Sequence, residues 1–294
     1  MAIKGLSIPV FGKYAFNPAT NMASYYGGMI NPKAISYTVS VESTENNPLY
    51  ANNQIAENDI GRFSTGTISL ETDDLTQKTT KFLLSIKEVE RTYGKEKTVT
   101  VLVYDDEQKA PDLGVGIIEE HQNDNVTQYK AVWLKKVNFT IPEDAATTRG
   151  ETIEWQTRTI EGTISRSEEN GENGVYPWKE EAWFKSESEA LEYLKAMLGV
   201  GEVQPLEIQS EAGTEEGKTR ITVTPEKSDG YTYRYQIGEE MSVPEYNEDC
   251  SSMTEWDGSA EISAQAGQKI LIVECEGTGA RKAGIQTVTI NQGE

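Results

Sequence analysis

The chain has 294 residues, enough for one large domain or two ordinary ones, and either arrangement could bury a real core. Its 48 acidic residues against 27 basic ones give a formal net charge of −21, which argues against nucleic-acid binding, because phosphates are held by clustered lysine and arginine. The same charge disfavours binding to an anionic membrane surface, and the 14 tyrosines, 5 tryptophans and 6 phenylalanines argue against a disordered acidic chain.

The first third of the chain combines polar segments with one clear strand. Glycine, asparagine and proline crowd the first 33 residues, which predicts an extended arm with a turn at Tyr26-Gly27-Gly28. The N-terminus has no apolar run with a small-residue cleavage site, so we expect a protein folded in a cytoplasm rather than secreted. Apolar and polar residues alternate from Ile35 to Val41, as in an amphipathic strand. The polar segment Ser43–Gly66 is longer than ordinary connections and is predicted to be a functional loop.

Two short helices are predicted beside the strands. The first follows a strand at Thr67–Glu71, with Asp73 or Asp74 as its N-cap. Its buried side would carry Leu75, Phe82, Leu83 and Ile86. The second begins at a capping box of Ser186 and Glu189 and shows leucines at helical spacing. Its leucines are Leu191, Leu194 and Leu198, and it stops at Gly199 and Gly201.

A long hairpin is the main feature between the two helices. Strands are predicted at Thr98–Tyr104, Gly114–Glu119, Gln128–Ile141 and Glu151–Ser165. The last two would form the hairpin, joined by a nine-residue loop, with an apolar face and a polar face. The apolar face holds Trp133, Val137, Phe139 and Ile141, and the polar face Lys136, Asn138 and Thr140. The alternation slips by one residue in the second strand, which predicts a bulge near Thr159.

The pattern of the sequence changes from Leu206 onward. Short strands alternate there with turn signals, which predicts an immunoglobulin-like sandwich. The strands are predicted at Arg220–Thr224, Tyr231–Ile237, Ala260–Ala264, Lys269–Glu274 and Gln286–Ile290. We therefore divide the chain into residues 1–201, a linker at 202–205 and a second domain at 206–294. A disulfide between Cys250 and Cys275 is compatible with a sandwich, but two buried thiols are expected in a reducing compartment.

The sequence offers no convincing catalytic site. His121 is the only histidine, and its polar setting, "EEHQNDN", predicts an exposed loop residue. The motifs HExxH, CxxC and GxxxxGK[ST] do not occur in the sequence. Carboxylate doublets such as Asp105-Asp106 arise by chance among so many acids and are expected on solvated turns. We therefore assign no catalytic, metal or cofactor residue and expect a protein that is not an enzyme.

Four stretches in a fixed order carry a resemblance to a known family. They are "GLSIPVFGKY" (5–14), "KAISYTVSVESTENNPLYANNQIAENDIGRFSTGTISLETDDL" (33–75), "YKAVWLKKVNFTIPEDAATTRGETIEWQTRTIEGTI" (129–164) and "WFKSESEALEYL" (183–194). With them, the first 200 residues resemble the major tail protein, or tail tube subunit, of long-tailed, non-contractile bacteriophages.

The resemblance implies a mainly β fold, a tail-tube sandwich or barrel with short flanking helices, joined here to the C-terminal immunoglobulin-like sandwich. It implies homohexameric rings stacked into a tube in the virion, assembled in the bacterial host cytoplasm, with no cofactor and no membrane. DNA would pass through the lumen without specific binding, and the other partners would be the tape measure, tail terminator and distal tail or baseplate proteins. The loop between rings would use Asn47, Pro48, Leu49, Tyr50, Ile55 and Ile60, and the lumen would be lined by Lys136, Asn138, Thr140, Glu154 and Gln156.

Two alternatives remain from the residues themselves. One is a surface-binding, adhesin-like protein built of β domains, which would need a signal peptide or an anchor. The other is a carbohydrate-active β-sandwich enzyme using a carboxylate pair, which would act as a monomer.

Overall fold

Strands dominate the chain, and they divide it into two units. The computed structural model describes residues 2–31, 33–59, 61–73, 75–148, 156–171 and 175–293. The first unit comprises Met1–Ala23 and Met29–Leu198, and the second comprises Ser24–Gly28 and Gly199–Glu294. The predicted mainly β class, with short helices and an immunoglobulin-like sandwich, is confirmed. In the described residues, neither helix has the length and apolar character needed to span a membrane.

An eight-stranded sheet forms the frame of the first unit. In chain order the elements are β1 (Ala2–Asn17), β2 (Met22–Ile30), β3 (Ala34–Ser43), β4 (Asn47–Ala51), β5 (Gln54–Asp59), β6 (Phe63–Thr72), α1 (Gln77–Leu84), β7 (Lys87–Tyr93), β8 (Lys97–Val103), β9 (Asp112–Asn123), β10 (Val126–Phe139), β11 (Arg158–Ser165), β12 (Lys179–Phe184) and α2 (Glu187–Met197). The order in the large sheet is β2-β1-β9-β10-β11-β6-β3, with β12 also paired to β10. β4–β5 and β7–β8 each form a separate two-stranded sheet. The core between these elements contains a cluster that includes Phe11, Ile68, Leu113, Leu134 and Phe139.

The prediction of an N-terminal arm is wrong, because β1 lies inside the large sheet between β2 and β9. Val10 and Phe11 of β1 are fully buried. One of the glycines that suggested an arm serves close packing instead: a Cβ on Gly12 would lie 2.2 Å from the carbonyl oxygen of Leu198.

The two helices begin at hydroxyl N-caps. α1 is capped by Thr76, whose side chain accepts a hydrogen bond from the Thr79 amide (3.2 Å), so the aspartate cap was placed too early. α2 begins as predicted, with the Ser186 hydroxyl accepting from the Glu189 amide at 3.3 Å. Leu194 of α2 lies against Gly116 of β9, where a Cβ would meet the leucine side chain at 2.9 Å.

The long hairpin forms, but its two strands pair over only four residues, Lys136–Phe139. From Tyr129 to Leu134, β10 pairs with β12 instead. The strand β12 was not predicted from the sequence. β11 keeps an unbroken register with β6 from Arg158 to Ile164, so the predicted bulge near Thr159 is wrong. The prediction of a solvent-exposed polar face is also wrong for the middle of β10, where residues 131–135 are all buried. Ile141 lies beyond the end of β10 and is 59% exposed.

The second unit is a sandwich of a five-stranded and a three-stranded sheet. Its strands are β13 (Gln204–Pro205), β14 (Glu207–Ala212), β15 (Lys218–Thr224), β16 (Thr232–Gly238), β17 (Thr254–Trp256), β18 (Ile262–Ser263), β19 (Lys269–Glu276) and β20 (Gly279–Thr287). The larger sheet has the order β13-β20-β19-β16-β17 and the smaller β14-β15-β18. Its core contains Ile221, Tyr233, Trp256, Ile270 and Ile272. β13 lies in the segment predicted to be a linker and pairs in parallel with β20.

Candidate assembly surface

The segment predicted to be a long loop contains a β-hairpin, β4–β5. Asn52 and Asn53 form its two-residue turn, with φ of 53° and 60°. Positive φ at both central residues is typical of a type I′ turn, which asparagine tolerates better than most residues. Two adjacent asparagines between short strands were a signal for this hairpin in the sequence.

The hairpin is anchored at its base and leaves its apolar side chains uncovered. The Thr44 amide donates to the carbonyl oxygen of Arg62 at 2.8 Å, which ties the two ends of the segment together. Leu49, Tyr50 and Ile55 are 60%, 65% and 58% exposed. A two-stranded hairpin is marginally stable by itself in water, so covering these side chains would stabilise it. Of the other residues predicted for this surface, Pro48 is half-buried, while the side chain of Asn47 and all of Ile60 lie outside the described residues.

The second separate hairpin, β7–β8, has a basic tip. Arg91, Lys95 and Lys97 surround the turn, with Glu96 as the only acid between residues 91 and 97. Tyr93 and Val99 add exposed apolar surface, at 55% and 46%. The β4–β5 segment has the opposite character, since Glu45, Glu57 and Asp59 are its only charged residues between 45 and 59. The sequence pattern predicts β8, whereas β7 is seen only in the structure.

The residues predicted to line a lumen have local partners wherever the structure describes them. Lys136 forms ion pairs with Asp112 (3.3 Å) and Glu168. Asn138 donates a hydrogen bond to the carbonyl oxygen of Ala110 at 2.9 Å.

Thr140 and Gln156, two further members of that predicted set, also have local partners. The Thr140 hydroxyl donates to the carbonyl oxygen of Glu161 at 3.1 Å. The Gln156 side chain accepts from the Thr147 amide at 3.1 Å, beyond the end of β10. Glu154 lies outside the described residues. The sequence alternation could not reveal these local partners.

A buried polar network lies where β3, β9 and β10 meet. Glu119 is 5% exposed, and its carboxylate contacts His121 Nε2 at 2.7 Å and Lys130 Nζ at 2.6 Å. The Tyr37 hydroxyl donates to the other carboxylate oxygen. His121 is 6% exposed and packs edge-on against Trp183 of β12. The prediction of an exposed loop histidine is therefore wrong, because β9 continues through His121 and β12 covers it.

The network keeps Glu119 ionised. Burial pushes the pKa of Glu119 upward, but hydrogen bonds from Lys130, Tyr37 and His121 outweigh it and hold the pKa below its ordinary value. Burial and the hydrogen bond to this carboxylate raise the pKa of Tyr37 far above its ordinary value. The described residues contain no group of three or more histidine, cysteine or acidic side chains suited to a metal ion. We interpret the network as a set of hydrogen bonds and ion pairs that holds β3, β9 and β10 together.

Comparison with known proteins gives one family match. Residues 211–293 match the model of the S-layer protein SbsC C-terminal domain. Among solved structures, the crystal structure of domains 7, 8 and 9 of the S-layer protein SbsC is 16% identical, with 79% of this chain and 72% of that chain covered. Its TM-score of 0.32 is too low for a common fold to be inferred. No curated protein matches the chain.

This match overturns the resemblance to tail tube proteins. The matched family is an S-layer domain, and no comparison connects the chain with phage tails. The interpretation as a siphophage virion protein in hexameric rings, which conducts DNA during genome ejection, is therefore wrong. The same holds for the tape measure, tail terminator and distal tail or baseplate proteins as partners.

Proposed function

We propose that this chain is a structural β-domain protein of a cell surface, which assembles with further copies of itself into an ordered layer. The observation that carries the proposal is the match of residues 211–293 to the C-terminal domain of an S-layer protein. A surface layer needs subunits with their own folded domains and with side chains left for contacts between copies. Two separate hairpins with exposed apolar side chains meet the second requirement.

In this proposal the β4–β5 hairpin of one copy docks on the β7–β8 tip of the next. The two surfaces have opposite charge. All charged residues between 45 and 59 are acidic on the first surface, and three basic residues surround the turn of the second. Each also offers apolar side chains, led by Tyr50 and Ile55 on one hairpin and Tyr93 on the other. Burying them together removes apolar area from water, and the opposite charges fix the orientation. Because the two surfaces differ, such a contact can repeat from copy to copy.

We further propose that the role is structural rather than catalytic. Its support is the state of His121, the only histidine of the chain, which is buried and hydrogen-bonded to Glu119. Its contacts with Glu119 and Trp183 connect neighbouring strands.

Assembly of the purified full chain tests the proposal. Light scattering and negative-stain microscopy over a range of concentrations should reveal ordered assemblies that grow with concentration. The double variant Leu49→Lys/Ile55→Lys should remain folded, because both side chains are exposed, and should fail to assemble. Val126→Lys is the matched control, since Val126 is 59% exposed in another strand. Monomeric wild-type protein at every concentration would reject the layer.

Mixing variants tests the docking itself. Lys95→Glu/Lys97→Glu should also abolish assembly, through the basic tip. A mixture with Leu49→Lys/Ile55→Lys should then give one-to-one complexes, because each variant keeps the surface that the other lacks. Variants that assemble normally would reject this contact while leaving the layer intact.

A surface-binding, adhesin-like role is the second candidate, and the same family match favours it. It differs in its outcome: monomers would bind to cell envelopes in a pull-down assay without forming assemblies.

A further inference from the structure

Both cysteines of the chain lie in the second unit and share one apolar cluster. Cys250 and Cys275 are 1% and 0% exposed, and both are free thiols. The cluster also contains Leu271, Val273, Ala280 and Ala283.

The backbone brings the two cysteines to the same β-turn. Cys275 lies in β19 and pairs with Ala280 of β20. The segment before β17 lies along the other edge of this turn, where the Cys250 amide donates to the carbonyl oxygen of Thr278 at 2.8 Å. The Ala280 amide donates in turn to the carbonyl oxygen of Glu248 at 3.0 Å. Both cysteine side chains therefore pack into the same small cluster, where the Cys250 thiol donates to the carbonyl oxygen of Glu248 at 3.5 Å.

We propose that Cys250 and Cys275 form an intradomain disulfide when the chain folds in the presence of a small-molecule disulfide oxidant. The oxidising compartment follows from the proposed surface location, whereas the chemistry of the pair does not depend on it. The bond would hold the irregular segment between β16 and β17 against β19. It would also close a loop from residue 250 to residue 275 and so reduce the freedom of the unfolded chain.

The reaction is thiol–disulfide exchange in two steps. The Cys275 thiolate attacks one sulfur of the oxidant, forms a mixed disulfide and releases the first small thiol. The Cys250 thiol then loses its proton and attacks the Cys275 sulfur, which breaks the mixed disulfide and releases the second small thiol. The two cysteines lose two electrons and two protons, and the oxidant is reduced to two thiols.

Once folding has brought the two cysteines together, and before burial closes off the oxidant, the surroundings favour Cys275 as the first nucleophile. The neighbouring Cys250 thiol has the largest effect on the pKa of Cys275 and lowers it, and the positive charges of Arg234 and Arg281 lower it further against the effect of burial. The pKa of Cys250 is raised, first by the neighbouring Cys275 and then by burial.

Refolding of the full-length chain tests the disulfide. The reduced, urea-unfolded protein is diluted into a buffer of reduced and oxidised glutathione, and a parallel sample is kept reduced. The oxidised sample should have a mass lower by two hydrogens, no thiol reactive towards maleimide in urea, and a monomeric band on a non-reducing gel. Peptide mapping should join the two cysteine peptides, and the melting temperature of the second unit should rise by several degrees.

Single variants test the order of the steps. Cys250→Ser should accumulate a glutathione adduct on Cys275, whereas Cys275→Ser should react severalfold more slowly. Two free thiols at equilibrium, disulfide-linked dimers, or an oxidised form that melts lower than the reduced form would each overturn the proposal. This experiment does not measure assembly. A failure to form the disulfide would therefore leave the proposed function unchanged.

Discussion

At the scale of single residues, Glu119 decides how three strands meet. Its buried carboxylate accepts from Tyr37 of β3 and contacts Lys130 of β10 and His121 of β9. A buried charge is tolerated only with such partners, because desolvation alone costs several kcal/mol. Removal of the charge should therefore leave Lys130 and the Tyr37 hydroxyl poorly satisfied.

We predict that Glu119→Gln lowers the free energy of unfolding at pH 7 by about 2–4 kcal/mol. Because folding lowers the pKa of Glu119, its ionised form stabilises the fold above the ordinary glutamate pKa of 4.5. That contribution is lost as the pH falls through the lowered pKa, so the wild type and the variant should converge in acid. Urea unfolding at a series of pH values measures the difference.

Glu120→Gln is the matched control for this experiment. Glu120 is the next residue and pairs with exposed Lys4 at 3.0 Å, a contact worth at most about 1 kcal/mol. A loss for Glu119→Gln no larger than that of the control would contradict the role of the network.

At the scale of elements, α2 is fixed by its cap and by a glycine on the strand that it covers. Ala190, Leu194 and Leu198 are fully buried, and Gly116 of β9 lets Leu194 approach the sheet. Gly116 is therefore a packing position inside the strand that was predicted at Gly114–Glu119.

We predict that Ser186→Ala destabilises the first unit by about 1 kcal/mol, because the Glu189 amide loses its acceptor. Ser188→Ala, at an exposed position inside the same helix, should be neutral or slightly stabilising, since alanine has the higher helix propensity. Thermal unfolding followed by circular dichroism distinguishes the two. Equal effects of both substitutions would mean that the cap contributes nothing.

At the scale of the whole molecule, the two units have separate cores. The second unit holds its own two sheets and its own apolar cluster, and the family match falls within it. A region with its own core is expected to fold alone.

We predict that residues 203–294, expressed alone, unfold cooperatively in urea with a slope of roughly 1 kcal/mol/M. Trp256 is the only tryptophan in this fragment and is 6% exposed, so its fluorescence reports directly on the core. The full chain is the control, and its second unit should unfold at a similar urea concentration. A gradual, non-cooperative change would mean that the fragment needs the rest of the chain, including the five residues 24–28 of the second unit.

The sequence by itself determined the features that depend on neighbouring residues. Alternation of apolar and polar residues predicted most strands, and the capping box of Ser186 and Glu189 predicted the start of α2. The short strands and turn signals after Leu206 predicted the sandwich. Local patterns carry this information because strand and helix periods are set by the backbone of the segment itself. The adjacent asparagines of the β4–β5 turn were of the same kind, although that segment was predicted to be a loop.

Only the tertiary structure decided which segments meet. β12 pairs with the first half of β10. The same strand covers His121, although the residues that flank His121 in the sequence are polar. β1 lies between β2 and β9 although its composition resembles an arm, and its Gly12 leaves room for the backbone of Leu198. Burial and partnering are properties of pairs that lie far apart in the chain, and the pattern of either member alone does not contain them.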